Sequence, residues 1–365
     1  MLVRVPFLDL RVTETAEHKS LMQAVEQVLN HGRLVMGPEI DLFEERVASY
    51  CGRRHCVSVG SGTDALFIGL KALGLGPGDE VITTSLSWIA TANAIALTGA
   101  TPVFADISED LNINPLSVQR LITPKTKAIL VVDYTGRIPN MEALIVICEK
   151  HNLFLVEDGS QAFGALRAGR RCGSFGILSA ISHNPMKLLA AIGEAGSILC
   201  DNDELAERLR ILRYNGTINR ETCIEPSLNG RMDTLQASIL LCRLNTVKEL
   251  IERRRANAAY YLEKLSGHVI LPFDEPDESQ VFYTFTIQTH KRDFLERRLA
   301  SLGIETKVQH RLPMPEHPAY KPARGEFSNA IKLSKNILAL PVHEKLTRDQ
   351  CEFVVESVLA SLLKG

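Results

Sequence analysis

An excess of either charge is missing from this chain. Lys and Arg total 41 against 43 Asp and Glu, a formal net charge of -2. The signs are interspersed, so there is no basic stripe for a nucleic-acid backbone and no polybasic patch for a membrane surface. The densest basic run, "IERRRANAA" (251–259), lies in a helical pattern and reads as a solvated helix face. No apolar run approaches the roughly 18 residues that a membrane span needs. The start, "MLVRVPFLDL", is too short and too soon charged to read as a secretory signal. Paired cysteines are also lacking. The eight cysteines are scattered, mostly through apolar patterns, as reduced thiols of a cytoplasmic protein are. "CGRRHC" (51–56) has no second pair at ligand spacing, so no metal site is expected. Repeats and low-complexity linkers are absent, and tryptophan occurs once, at position 88.

What remains is an ordinary globular composition, 45% hydrophobic and 23% charged over 365 residues. That length supports a large core and two lobes. From residue 55, short apolar strands alternate with helical patterns. "HCVSVG" (55–60), "EVITT" (80–84), "TPVFAD" (101–106), "KAILVVDY" (127–134) and "LFLVED" (153–158) read as strands. Helical patterns cover 63–74, 88–99, 115–121 and 139–150. Nearly continuous apolar strands predict an α/β fold with a mainly parallel sheet buried between helices. Beyond residue 200 helices dominate, at 203–213 and 232–265. The chain then reads as α+β: a strand at 281–288, a helix at 292–302, a strand at 304–309 and a last helix from 347. The spacing predicts a large domain over 1–245, with an N-terminal arm over 1–30, and a small domain over 246–365.

In open α/β sheets the ligand sits beyond the carboxyl ends of the strands. Four features fall there. "VGSGTDAL" (59–66) is either an anion cradle at a helix start or a tight turn with Ser61 or Thr63 as cap. Asp158 ends a hydrophobic strand, and either caps the next turn or faces a buried cation. Trp88 is either a core side chain or a plate against a planar ring. Lys187 stands in the apolar run "SAISHNPMKLLAAIGEAGSILC" (179–200), and either snorkels to water or sits in a pocket where its amine captures a carbonyl.

In order and spacing these stretches resemble the DegT/DnrJ/EryC1/StrS family of pyridoxal-phosphate sugar aminotransferases. The matching segments include "VPFLDL" (5–10), "GPEIDLFEERVASYCG" (37–52), "VGSGTDAL", "SWIATANAIALTGATPVFADI" (87–107), "VEDGSQAFGA" (156–165), "SHNPMK" (182–187), "LNGRMDTLQAS" (228–238) and "LPVHEKLT" (340–347). The resemblance implies fold type I, with a seven-stranded, mainly parallel sheet and a smaller C-terminal α+β domain. It implies pyridoxal 5'-phosphate as cofactor, with Lys187 holding its aldehyde and Asp158 on its ring nitrogen. It further implies Gln161 near the phenolic oxygen, Trp88 stacked on the ring, and Gly62, Thr63 and Ser182 around the phosphate. Asn229 would reach the phosphate of a neighbouring subunit, in a homodimer with shared active sites.

The implied reaction moves an amino group from an amino acid, usually L-glutamate, to a keto-sugar, most often a nucleotide-linked keto-hexose. A keto-sugar phosphate, a triose phosphate or a ketocyclitol are alternative acceptors. A non-catalytic regulatory protein on the same scaffold is the alternative of another class. The chain departs from the family where "SHNPMKLL" replaces "SFHPTKN", where "GEAG" (193–196) replaces "GEGG", and where "VVDYTGRIPNM" (131–141) lacks the usual "LYG". His183 on the approach to the lysine, and His310, Arg311 and His317 in "VQHRLPMPEHPAY" (308–320), are the candidate substrate contacts.

Overall fold

A computed structural model describes residues 3–364. Seven strands form the central sheet: β1 (His55–Val59), β2 (Glu80–Thr84), β3 (Thr101–Ala105), β4 (Thr126–Val132), β5 (Phe154–Asp158), β6 (Leu178–Ser182) and β7 (Gly196–Cys200). Their order across the sheet is β1-β7-β6-β5-β4-β2-β3. Only β7 runs against the rest, pairing antiparallel with both β1 and β6. The carboxyl ends of the other six strands therefore share one edge. Gly196, the first residue of β7, meets that edge opposite Val59 and Ser182.

Helices cover both faces, and their ends follow local chemistry. Helix α1 (Thr15–His31) and α2 (Pro38–Cys51) each close on a left-handed glycine, Gly32 and Gly52, and α2 starts with Pro38. Ser61 caps α3 (Gly62–Ala72) by accepting the Asp64 N–H. Helix α4 (Ala90–Leu97) has no side-chain cap. Asn114, Asn140 and Asn202 cap α5 (Pro115–Leu121), α6 (Met141–His151) and α7 (Asp203–Arg213) in the same way as Ser61. One apolar layer joins Phe43 and Val47 of α2, Met141 and Leu144 of α6 and Leu240 to the sheet. The other joins Ile68 and Leu70 of α3 with Leu209 and Leu212 of α7.

The helical stretch expected over 232–265 is two helices, α8 (Thr234–Leu244) and α9 (Val247–Leu265), with Asn245 and Thr246 as the joint. Beyond it, α10 (Arg292–Ser301), α11 (Ser328–Ser334) and α12 (Arg348–Lys364) surround a two-stranded antiparallel ladder of β8 (Phe285–Gln288) and β9 (Ile337–Leu340). Tyr261, Phe285, Leu295, Leu338 and Val354 build the apolar cluster there.

Two strands expected from the sequence are shorter than they read. Residues 281–284 form no ladder, because Phe282 takes a left-handed φ of +49° that breaks the pleat. The 304–309 segment makes only single bridges, at Ile304 and Lys307. The start of the N-terminal arm reaches across to the C-terminal part of the chain. Val5 bridges Ile304 and packs in the C-terminal cluster, so the first described residues lie on the C-terminal part of the chain. Met1 and Leu2 of that arm lie outside the described residues.

Candidate active site

The carboxyl edge of the sheet gathers most of the singled-out residues. Asp158 ends β5 and is buried. Its Oδ2 accepts a 3.0 Å hydrogen bond from Thr91 Oγ1 on α4, and its Oδ1 accepts the Ser160 N–H at 3.2 Å. Ser160 Oγ in turn accepts the backbone N–H of Ser182, the last residue of β6, at 3.1 Å. Ser182 lies against the start of α3: a Cβ on Gly62 would stand 2.5 Å from the Ser182 Cβ. Only glycine fits at 62, and Thr63 follows it in the first helical turn. There the N–H groups have no carbonyl four residues back. Gln161 is buried, and its Oε1 accepts the Thr135 N–H at 3.0 Å. That bond holds Thr135 at a left-handed φ of +61°.

Lys187 lies in the loop between β6 and β7, half-buried. Its Nζ is 3.5 Å from Tyr283 Oη and 4.6 Å from the centre of that ring. Tyr283 is presented by residues 281–284, which are clamped to the 134–136 turn. Val281 N–H donates to Gly136 O at 3.0 Å, and Thr284 N–H donates to Thr135 O at 3.2 Å. A Cβ on Gly136 would come within 2.6 Å of Tyr283 N, so the clamp requires glycine. His310 stands beside this group, its ring 5.7 Å from that of Tyr134 and 6.1 Å from that of Trp88. Burial, with the charges of Lys307, Lys187 and His317 adding to it, pulls the His310 imidazole down to about 4, so the ring is neutral at physiological pH. Trp88 is 62% exposed rather than part of the core.

Two substrate candidates belong elsewhere. His183 is fully buried: its Nδ1 meets Leu189 O at 3.0 Å, its Nε2 meets Ser197 Oγ at 2.7 Å, and it packs edge-on against Phe43 and Phe163. Burial pulls its pKa down to about 4. With the backbone bonds His183 N to Ala195 O and Ala191 N to His183 O, it anchors the lysine loop and cannot touch a substrate. Arg311 pairs with Glu296 and Asp293 of α10 and so faces that helix. His317 is half-buried, with its N–H on Met314 O, and lies near His310. Asn229 is exposed, its Oδ1 accepting from Arg231 Nε at 2.7 Å, while the next residue, Gly230, accepts the Gly60 N–H.

Sequence reasoning missed Thr91, Tyr134, Thr135 and Tyr283. Thr91 follows Trp88 by three residues across the turn that enters α4, its N–H donating to Trp88 O at 3.2 Å, and that spacing was the available signal.

Residues 15–359 match the DegT/DnrJ/EryC1/StrS aminotransferase family. The chain belongs to that family. Among relatives of this DegT/DnrJ/EryC1/StrS aminotransferase is the dTDP-3-amino-3,4,6-trideoxy-alpha-D-glucose transaminase of Streptomyces venezuelae, 39% identical over 361 residues, 97% of this chain and 95% of the relative. The solved structure of S. venezuelae DesV with a ketimine intermediate superposes with a TM-score of 0.95 at 38% identity, covering 99% of each chain. Bacillus subtilis NtdA with bound cofactor PMP superposes at a TM-score of 0.93 and 29% identity, covering all of this chain and 86% of that one.

DegT/DnrJ/EryC1/StrS aminotransferases depend on pyridoxal phosphate, and the residues here fit that group. The Gly62 cradle is a space that any side chain would fill. A buried carboxylate at Asp158 with two donors on it suits a cationic ring nitrogen. A half-buried amine at Lys187 suits an aldehyde.

Proposed function

We propose that this enzyme transfers an amino group from an amino acid, with L-glutamate as the donor, to the carbonyl carbon of a nucleotide-linked keto-hexose in amino-sugar biosynthesis. The pairing of Asp158 with Lys187 at one sheet edge carries the reading, because a binding module has no use for both. Bound pyridoxal phosphate supplies an electron sink for the carbanion left when the donor's Cα loses its proton. In this reading Gly62, Thr63 and Ser182 hold the phosphate and Trp88 covers one ring face. Gln161 would offer its Nε2–H to the phenolic oxygen while its Oε1 orders Thr135. The Asp158 carboxylate keeps the ring nitrogen protonated. The Lys187 amine would serve as the base that takes the proton from the donor's Cα. The neutral His310 ring, with His317 near it, borders the acceptor's side of the pocket.

The nucleotide-sugar acceptor rests on the S. venezuelae relative, a transaminase of a dTDP-linked sugar that spans nearly the same length. The same reading divides the chain at 245/246 and pairs two copies so that Asn229 serves the partner's phosphate. Exposed Leu34, Val35, Met186 and Ile192 support the pairing. All described cysteines are free, in keeping with a cytoplasmic enzyme, and among the described residues no helix is long and apolar enough to cross a membrane. The experiment is a screen of nucleotide-linked keto-hexoses and keto-sugar phosphates with nitrogen-labelled glutamate, read by mass. A labelled amino product from the nucleotide sugars is expected. Label entering only the smaller acceptors would move the enzyme to that class.

A further inference from the structure

Behind Asp158, on the opposite face of the sheet, lies a buried acid pair that the reaction does not use. Asp133 follows β4 directly, and Glu157 precedes Asp158 on β5, so the alternation of side chains turns both away from the cofactor side. Neither side chain is exposed. Glu157 is richly bonded: Oε1 accepts the Gly173 N–H at 3.0 Å, and Oε2 accepts the Phe175 N–H at 3.0 Å and the Ser179 hydroxyl. Asp133 is the reverse. Both of its carboxylate oxygens are buried and accept no hydrogen bond.

An unpaired, fully buried carboxylate is far costlier than its neutral form, and the group takes a proton instead. The geometry offers that proton one useful place. An oxygen of Asp133, an oxygen of Glu157 and the Cys172 sulfur lie within 4.8 Å of one another. The Cys172 thiol is already directed at Gly159 O, 3.5 Å away. Two carboxylates can bond to each other only when one of them carries a hydrogen. We infer that Asp133 is a positioning residue: it holds a proton, donates it in a hydrogen bond to Glu157, and so ties the ends of β4 and β5 to the 172–179 connection behind Asp158. The backbone bond from Asp133 N–H to Asp158 O, 3.0 Å, completes the tie.

The titratable groups facing Asp133 agree. They are Glu157 and Asp158 from β5 and Cys172 from the connection after it. Burial, with the charges of Glu157 and then Asp158 adding to it, pushes the Asp133 carboxyl well above the ordinary carboxylate range. The Cys172 side chain works weakly the other way on Asp133, and burial, with the charges of Asp133 and Glu157, raises the thiol itself, so it stays protonated.

The consequence for Asp158 rests on the function proposed above. The proton itself does not, and the first two measurements need no bound cofactor. Infrared difference spectra at about pH 7 should show a protonated carboxyl stretch in the wild type that Asp133→Asn lacks. From about pH 5 to about pH 7 the folded wild type carries one proton that the unfolded chain has lost. Its unfolding constant should therefore rise about tenfold per pH unit relative to that of Asp133→Asn. Asp133→Asn keeps a neutral donor and should retain cofactor, whereas Asp133→Val should release it. Parallel pH dependence with no carboxyl stretch would overturn the inference, as would a chelatable divalent metal found bound in the wild type but not in Asp133→Asn. Should Asp133→Asn fail to fold, the wild-type infrared spectrum and the shift of its carboxyl stretch in Glu157→Gln, which removes the carboxylate that accepts the proton, decide the matter: no stretch, or an unmoved one, would overturn the inference.

Discussion

The Lys187 amine rests on the Tyr283 ring, with its Nζ 4.6 Å from the ring centre and 3.5 Å from the hydroxyl. A cation over an aromatic face gains about 0.5–2 kcal/mol, while a hydrogen bond at this length is weak. The ring therefore matters more than the hydroxyl. Tyr283→Phe should stay within a few-fold of wild-type turnover. Tyr283→Ala should fall about tenfold, since a loss near 1.4 kcal/mol is one power of ten. Steady-state kinetics of the two variants checks the order, and equal losses would shift the role to the hydroxyl.

Gly62 meets Ser182 too closely for any side chain. Gly62→Ala forces the α3 start away from β6, at a cost of about 1–3 kcal/mol. The expected result is a lower melting temperature with cofactor bound and a larger dissociation constant for pyridoxal phosphate. Calorimetry on the loaded and stripped protein separates the two effects.

Thr91 supplies the side-chain donor to Asp158. Thr91→Val keeps the shape and removes the hydroxyl. A hydrogen bond to a charged group contributes about 1.5–3 kcal/mol, so stability should drop by that order. Turnover should fall with it, because the carboxylate loses its orientation. Chemical denaturation and initial rates measure both.

His183 sets a pH dependence whose sign follows from its burial. Its folded pKa, about 4, lies below the ordinary histidine value of about 6.5. Between those values the unfolded chain binds more protons than the folded one. The His183 contribution is therefore complete above about pH 6.5 and is lost as pH falls toward 4, at about 1.4 kcal/mol per unit. Imidazole NMR should show His183 still neutral at about pH 5.5. A midpoint near the ordinary value would place the ring in solvent.

The sheet was legible because its strands are continuous apolar runs bounded by turns, and Lys187, Asp158 and Gly62 were singled out because strand ends carry ligands in such folds. The errors share a physical cause. His183 and Lys187 are four positions apart, yet the loop turns one side chain into the core and leaves the other half-buried at the site. Sequence spacing within an irregular loop carries no face. Arg311 looked like an anion contact, but acids on α10, some 15 residues earlier, claim it. Tyr283 hid at the head of an expected strand, where the left-handed Phe282 sets its direction. Such positions depend on contacts between distant segments, here the clamp between 134–136 and 281–284.

The most direct measurement is the absorbance of the purified, cofactor-loaded enzyme on addition of L-glutamate alone, followed by a keto-sugar. The visible band should move into the near ultraviolet with release of one equivalent of the donor's keto acid, and return when the keto-sugar is added. Lys187→Ala should show neither change. A band that ignores every amino donor while the cofactor stays bound would contradict the account.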